Sequence, residues 1–174
     1  MNKGLTVPIK FPQFSHQVLF WLVASAGIAA DLWTKAAVFR WLADKPYNQV
    51  SIIGDFLTFI LRENAGAAFS MAHGQRVFLV TVSTTAFLGL ITAFECRLFT
   101  NRLSVVTAGM FLAGIGGNLY DRLFNGGRVR DFIDVNLYVN NYHWPTFNVA
   151  DSLMCIALGL FFIDAYRSYK EGKV

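Results

Sequence analysis

Charge is scarce in this chain. Only 15% of its 174 residues are Asp, Glu, Lys or Arg, where a water-soluble domain carries nearer a quarter. An ordinary soluble globule is therefore a poor fit. Cysteine is scarcer still: Cys96 and Cys155 lie in separate apolar runs without metal-ligand spacing, which argues against a disulfide and against a zinc site. No metal or other cofactor is expected. No basic run interleaves with aromatics on a polar face, so the net charge of +4 does not read as a nucleic-acid surface. It fits cationic loops beside anionic lipid head groups. No internal repeat, low-complexity tract or domain linker interrupts residues 1–174, which read as one domain.

Apolar and aromatic residues are abundant. Hydrophobic residues make up 55% of the chain, with 17 Phe and 4 Trp, and mean hydropathy is +0.43. Crossing about 30 Å of hydrocarbon takes roughly 20 helical residues, and four segments qualify: 18–39, 77–95, 103–121 and 149–166. The first carries Asp31 and Lys35. The run after the N-terminal lysines lacks a small-residue cleavage site, so it reads as a retained span, not a removed signal peptide. Four spans put both termini on one side. The short loop holding Arg97 and Arg102, with Arg167, Lys170 and Lys173 in the tail, favours the cytoplasm for that side. Residues 40–76 and 122–148 then lie outside. Within them, 51–64 and 128–144 are strand-like and are expected to pair into a small sheet on the membrane surface.

Ionisable groups near the bilayer are costly, so each needs a partner or a task. Asp31 and Lys35 are one helical turn apart, acid first, and the plainer reading is an ion pair snorkelling at a helix end. In Glu63–Ser70 (ENAGAAFS), Asn64 and the small Gly66 allow close approach to a ligand; alone, the segment is equally an ordinary polar turn. Gly109, Ala113 and Gly117 form a small-residue stripe suited to a packed helix. Asn118 and Arg122 share a face, and the neighbouring Asp121 offers itself as the partner of Arg122. Asp131 follows the third span, and Asp151 opens the fourth, three residues after Asn148. Brought together, two such carboxylates would share a proton, one serving as general base and the other as general acid. Spacing alone leaves Asp134 and Asp121 as available as these. His16, His73 and His143 read as interfacial polar residues.

The segments DLWTK (31–35), ENAGAAFS (63–70), GNLYDR (117–122), RDFID (130–134) and WPTFNVADS (144–152) together resemble the lipoprotein signal peptidase, or signal peptidase II, family. The resemblance implies a mainly α, polytopic membrane protein of four transmembrane helices with an extracytoplasmic β-cradle and a short surface helix. It implies an inner-membrane aspartic peptidase that removes the signal peptide from a prolipoprotein whose cysteine carries a diacylglyceryl group. Asp131 and Asp151 would be the catalytic pair. Asn64, Gly66, Asn118, Arg122 and Asn148 would line the substrate site, and Asp31, Lys35 and Asp121 would support it. The partners would be that lipidated substrate and membrane lipids, with the enzyme acting as a monomer and without nucleic acid. Arg130 departs from the family pattern, which has an apolar residue there; it is expected to face outward, away from Asp131. A proton- or ion-coupled transporter is the competing reading, weakened by the lack of a repeat. A lipid-binding scaffold leaves the two acids without a role.

Overall fold

The computed structural model describes residues 11–66, 74–138 and 143–172. Four long helices carry the chain: α1 (Phe14–Leu42), α2 (Arg76–Glu95), α3 (Arg102–Phe124) and α4 (Val149–Lys170). All four are long and apolar enough to cross a membrane, and each expected span lies inside one of them. The observed helices run a few residues further at most ends, because interfacial polar residues continue a helix that hydropathy alone would stop. Two starts are fixed by side-chain caps. Asn101 accepts from Ser104 N at α3, and Asn148 accepts from Asp151 N at α4, each in a reciprocal capping box.

α3 is the centre of the bundle, packing on α1, α2 and α4, and its sequence explains why. The stripe Gly109, Ala113, Gly117 lies along α1. A Cβ at Gly109 would sit 3.1 Å from Phe20 O, Gly27 faces Ala113, and one at Gly117 would sit 3.0 Å from Asp31 Cγ. Gly114 turns to the other side, where a Cβ would come within 2.6 Å of Ala150 O on α4. Small residues let backbones close in where apolar burial supplies little drive between helices in lipid. At the end of the bundle where α1 and α3 begin, Phe20 stacks on Phe94 with centroids 3.9 Å apart. Ala24, Val105, Ala108 and Leu112 complete that apolar core.

The connections between α1 and α2 and between α3 and α4 form one antiparallel sheet in the order β1-β2-β3-β4: β1 (Gln49–Ile53), β2 (Leu57–Asn64), β3 (Val129–Asn136) and β4 (His143–Phe147). The expected pairing of the two extended segments is the β2–β3 contact, with Asn64 opposite Val129 and Arg62 opposite Asp131. Each segment also folds back on itself. The continuous strand expected over 51–64 breaks at Gly54-Asp55-Phe56, where Gly54 has φ +45° and β1 returns antiparallel to β2; a Gly-Asp turn outweighs β-propensity. Pro145 is tolerated because β4 is an edge strand. Outside the long helices, the helical structure among the described residues is a single 3-10 turn, Pro46–Asn48, so the surface helix that the family resemblance implies is not found among them. Ala67–Ser70 of the second motif and His73 lie outside the described residues.

Candidate active site

The expected site residues converge where the C-terminal end of α3, the start of α4 and strands β2 and β3 meet. The α4 cap does much of the positioning. Asp151 is the third helical residue, so the capping box that starts α4 also holds its carboxylate: Oδ2 accepts from Asn148 N at 3.1 Å. Its Oδ1 accepts from Asn118 Nδ2 at 2.8 Å. Asn148, fully buried, spans the gap to the other acid, donating from Nδ2 to Asp131 Oδ1 at 2.7 Å. The same Nδ2 lies 3.1 Å from Asn118 Oδ1. One asparagine thus touches both carboxylates, and neither acid forms an ion pair among the described residues.

Asp131 is 2% exposed. Burial first, and the charge of Asp151 second, push its carboxyl up to about 7, against hydrogen bonds from Asn148 and Asn64 that favour the ionised form. Asn64 is oriented by a turn in which its Oδ1 accepts from Gly66 N at 2.9 Å. Gly66 O in turn accepts from Arg122 Nη2 at 3.1 Å. Arg122 is 9% exposed, and its Nε has no hydrogen-bond partner among the described residues.

A second polar cluster lies directly behind the first, and it corrects three expectations. Asp31 and Lys35 do not snorkel: both are fully buried, with Lys35 Nζ 2.7 Å from Asp31 Oδ2 and 3.2 Å from Asp121 Oδ2. Lys35 Nζ also donates to Asn118 Oδ1 at 3.0 Å, and Asp31 Oδ1 accepts from Ala150 N at 2.9 Å. The close approach of α3 at Gly117 covers the pair before it can reach water. Asp121 is not the partner of Arg122, because adjacent helical residues point about 100° apart: one faces Lys35 and the other faces Gly66. Arg130 turns away from Asp131 as expected, but it faces Asp121 and not solvent. Its Nη2 lies 2.6 Å from Asp121 Oδ1, and its backbone N donates to Asp121 Oδ2 at 3.0 Å. Strand alternation accounts for this, since Arg130 and Asp131 project to opposite faces of β3. Asp134, the other spare acid, is 2.7 Å from His143 Nδ1.

Between the acids and the helices lies a cavity of about 590 Å³. Its polar wall carries Asn64, Asn118, Arg122, Asp131 and Asp151, and its apolar wall carries Val82 and Ala86 of α2, Ile115 of α3 and Met154 of α4. Trp144, Pro145, Thr146 and Phe147 of β4 line it as well, together with Arg62. Trp144–Phe147 lie within the fifth motif but were given no site role, and Arg62 lies outside the motifs, although alternation along β2 puts it on the face of Asn64 and opposite Asp131. The space accepts an apolar chain along one wall and a polar backbone along the other.

Residues 23–167 match the family model described as signal peptidase (SPase) II. The chain is 30% identical over 156 residues to the lipoprotein signal peptidase of Halalkalibacterium halodurans, covering 90% of this chain and 97% of that one. Identity to the lipoprotein signal peptidase of a Sulfurihydrogenibium species is 39% over 140 residues, covering 77% and 82%. Two solved bacterial membrane enzymes share the fold. One, determined by the in meso method at 2.3 Å, superposes with a TM-score of 0.78 at 26% identity over 94% of this chain and 95% of that one. The other, at 1.9 Å, gives 0.72 at 27% identity over 91% and 97%.

Proposed function

This chain belongs to the signal peptidase II family, a family of proteases, and on that premise we propose that it is an aspartic endopeptidase with Asp131 and Asp151 as its catalytic pair. Its substrate is a prolipoprotein, cut before a cysteine that carries a diacylglyceryl group. The observation that carries the assignment is the doubly bonded Asn148, which joins two carboxylates that form no ion pair among the described residues. Such a pair holds one proton between its members.

Asp131, with its raised pKa, holds that proton and acts as general acid. Asp151, whose two oxygens both accept hydrogen bonds, acts as the carboxylate base. It takes a proton from water as the water oxygen attacks the scissile carbonyl carbon, and Asp131 protonates the carbonyl oxygen. On collapse, the C–N bond breaks, Asp151 returns its proton to the leaving amine, and Asp131 recovers its own. Arg122 Nε and the amides of Asn64 and Asn118 offer polar contacts to a substrate backbone unwound at the lipid boundary. Gly66 and Asn148 hold these groups in place, and Asp31, Lys35 and Asp121 support them from behind. The apolar wall accommodates the signal peptide, and lipid chains on the cysteine remain among the surrounding lipids.

The enzyme sits in the bacterial inner membrane with both termini cytoplasmic and the acids near the extracytoplasmic face. In the same reading it acts as a monomer. A transporter would be expected to string its ionisable groups through the bilayer; here Asp31, Lys35, Asp121, Arg122, Asp131 and Asp151 gather at one end of the bundle. The test is cleavage of a diacylglyceryl-modified prolipoprotein by purified protein. Asp131→Asn and Asp151→Asn each abolish turnover while the protein remains folded, and turnover by either variant would refute the assignment. A reporter fused to the C-terminus reads cytoplasmic; an extracytoplasmic signal would reverse the orientation.

A further inference from the structure

At the end of the bundle away from the acids, α1 and α3 begin side by side and leave a groove of about 620 Å³. Phe14, Val18 and Leu22 recur every four residues along one face of α1, and Val106 faces them from α3. Arg102 and His16, in the first turns of the two helices, complete the lining. The groove has a fixed floor, because Leu19 packs against the stacked core of Phe20, Phe94, Val105 and Ala108.

The charges around it are distributed unusually. Two acids at this end are held by neutral amides: Gln17 Nε2 donates to Glu95 Oε2 at 3.0 Å, and Asn101 Nδ2 donates to Asp164 at 3.0 and 3.2 Å. Arg97, Arg102 and Arg167 form no ion pair among the described residues. Carboxylates are available in the same layer, yet Arg102 forms no ion pair with them among the described residues and lies beside an apolar trough. A trough between spans with a cation at its end suits a molecule that carries an anion and a hydrocarbon chain together.

We propose that this groove binds one anionic phospholipid, its phosphate held by Arg102 and the His16 ring and one acyl chain lying against Phe14, Val18, Leu22 and Val106. A free phosphate would meet Arg102 and His16 alone and would gain nothing from the apolar walls. The site is independent of the peptidase reading. Arg102 lies twenty residues before Arg122 on α3, so about 30 Å separates the groove from the acids, and the lipid touches neither catalytic group.

Native mass spectrometry of the detergent-purified full chain tests this, titrating phosphatidylglycerol and, separately, phosphatidylcholine with the same acyl chains. One phosphatidylglycerol should be retained per chain, at least tenfold more tightly than phosphatidylcholine, with no competition from soluble glycerol 3-phosphate. Arg102→Gln should weaken retention about tenfold, and Val106→Trp, which fills the trough, should do the same while Arg102 keeps its charge. Arg97→Gln should leave retention unchanged. Thermal unfolding of each variant establishes that it is folded. Equal retention of the two lipids overturns the proposal, as does equal weakening by Arg97→Gln. Competition by glycerol 3-phosphate at the lipid's own concentration would make this an anion site and overturn the lipid assignment.

Discussion

Two groups of carboxylates lie back to back in this protein, all buried except the half-buried Asp151, and they are treated in opposite ways. Asp31 and Asp121 are surrounded by cations: Lys35 reaches both, and Arg130 closes on Asp121 from the other side. Asp131 and Asp151 form no ion pair among the described residues, and their hydrogen bonds come from amides of Asn148, Asn118 and Asn64. Burying ionised acids is tolerable when opposite charge and hydrogen bonds compensate them, and such a cluster then holds a structure in one arrangement. Acids buried with amides alone keep a proton in play, which suits chemistry and costs stability. Asn118 links the two groups, accepting from Lys35 Nζ and donating to Asp151. The neutralised cluster thereby fixes the orientation of an amide that the proposed catalytic pair uses.

The comparison predicts different losses on the two sides. The largest effect is on turnover. Asp131→Asn or Asp151→Asn should lower kcat/KM at least about a thousandfold, within the range for removing a general acid or base, with the protein still folded. Asp121→Asn should retain measurable cleavage, and its loss should appear in unfolding. If Asp121→Asn is as dead as Asp131→Asn at equal folded fraction, the division between the clusters fails. Next in size is Lys35→Met, which leaves Asp31 and Asp121 facing each other without their shared cation. Removing one partner of a buried pair costs about 3–5 kcal/mol, read as a fall in the unfolding midpoint in detergent. A loss below about 1 kcal/mol would mean that the cluster is not the structural anchor.

Much of this was legible in the sequence because chemistry-bearing residues came in short, ordered segments. The four spans, the small sheet and the meeting of Asn64, Asn118, Arg122, Asp131, Asn148 and Asp151 were all anticipated. The failures share a physical cause. A sequence shows which residues are near in the chain, and pairing follows direction and depth. Asp121 looked like the partner of Arg122 because they are adjacent, yet helical rotation sends them to different neighbours. Arg130 looked solvent-facing because its neighbour Asp131 faces the site, yet the far side of β3 is occupied by Asp121. Asp31 and Lys35 looked free to reach water, and only the contact at Gly117 reveals that α3 covers them. The cavity's β4 wall was given no role for the same reason: Trp144 and Thr146 open the fifth motif but carry no acid-base chemistry, and they matter through where a strand edge falls.

A third prediction uses pH to separate the clusters. Asp131 in the folded protein is raised to about 7 from an ordinary 3.8. The folded state therefore keeps a proton that the unfolded chain releases, and stability falls as pH rises from about 4 to about 7. Asp131→Asn removes that dependence. At about 1.4 kcal/mol per unit, the variant should gain roughly 2–4 kcal/mol over the parent at pH 8 and little at pH 4. Unfolding midpoints measured across that interval check the sign. A gain that grows toward acid pH would contradict it. Cleavage by the parent should fall above about pH 7, as the shared proton is lost.

The smallest effect belongs to an ion pair that resembles those of the neutralised cluster in everything except burial. Arg128 Nη1 lies 3.2 Å from Glu63 Oε2, with side chains 58% and 39% exposed, whereas the Lys35–Asp31 side chains are at 0%. Water solvates both ions of the exposed pair before and after the contact breaks, so its strength is about 0–1 kcal/mol. Asn125, which donates to Glu63 Oε1 and to Arg128 O, would hold the loop in its absence. Arg128→Ala should therefore shift the unfolding midpoint by less than about 1 kcal/mol equivalent, and by less again in high salt. Burial, not the mere presence of opposite charges, then separates this pair from Lys35. If Arg128→Ala matched Lys35→Met, proximity of charge alone would be what stabilises this end of the molecule, and the contrast between the two carboxylate groups would lose its physical basis.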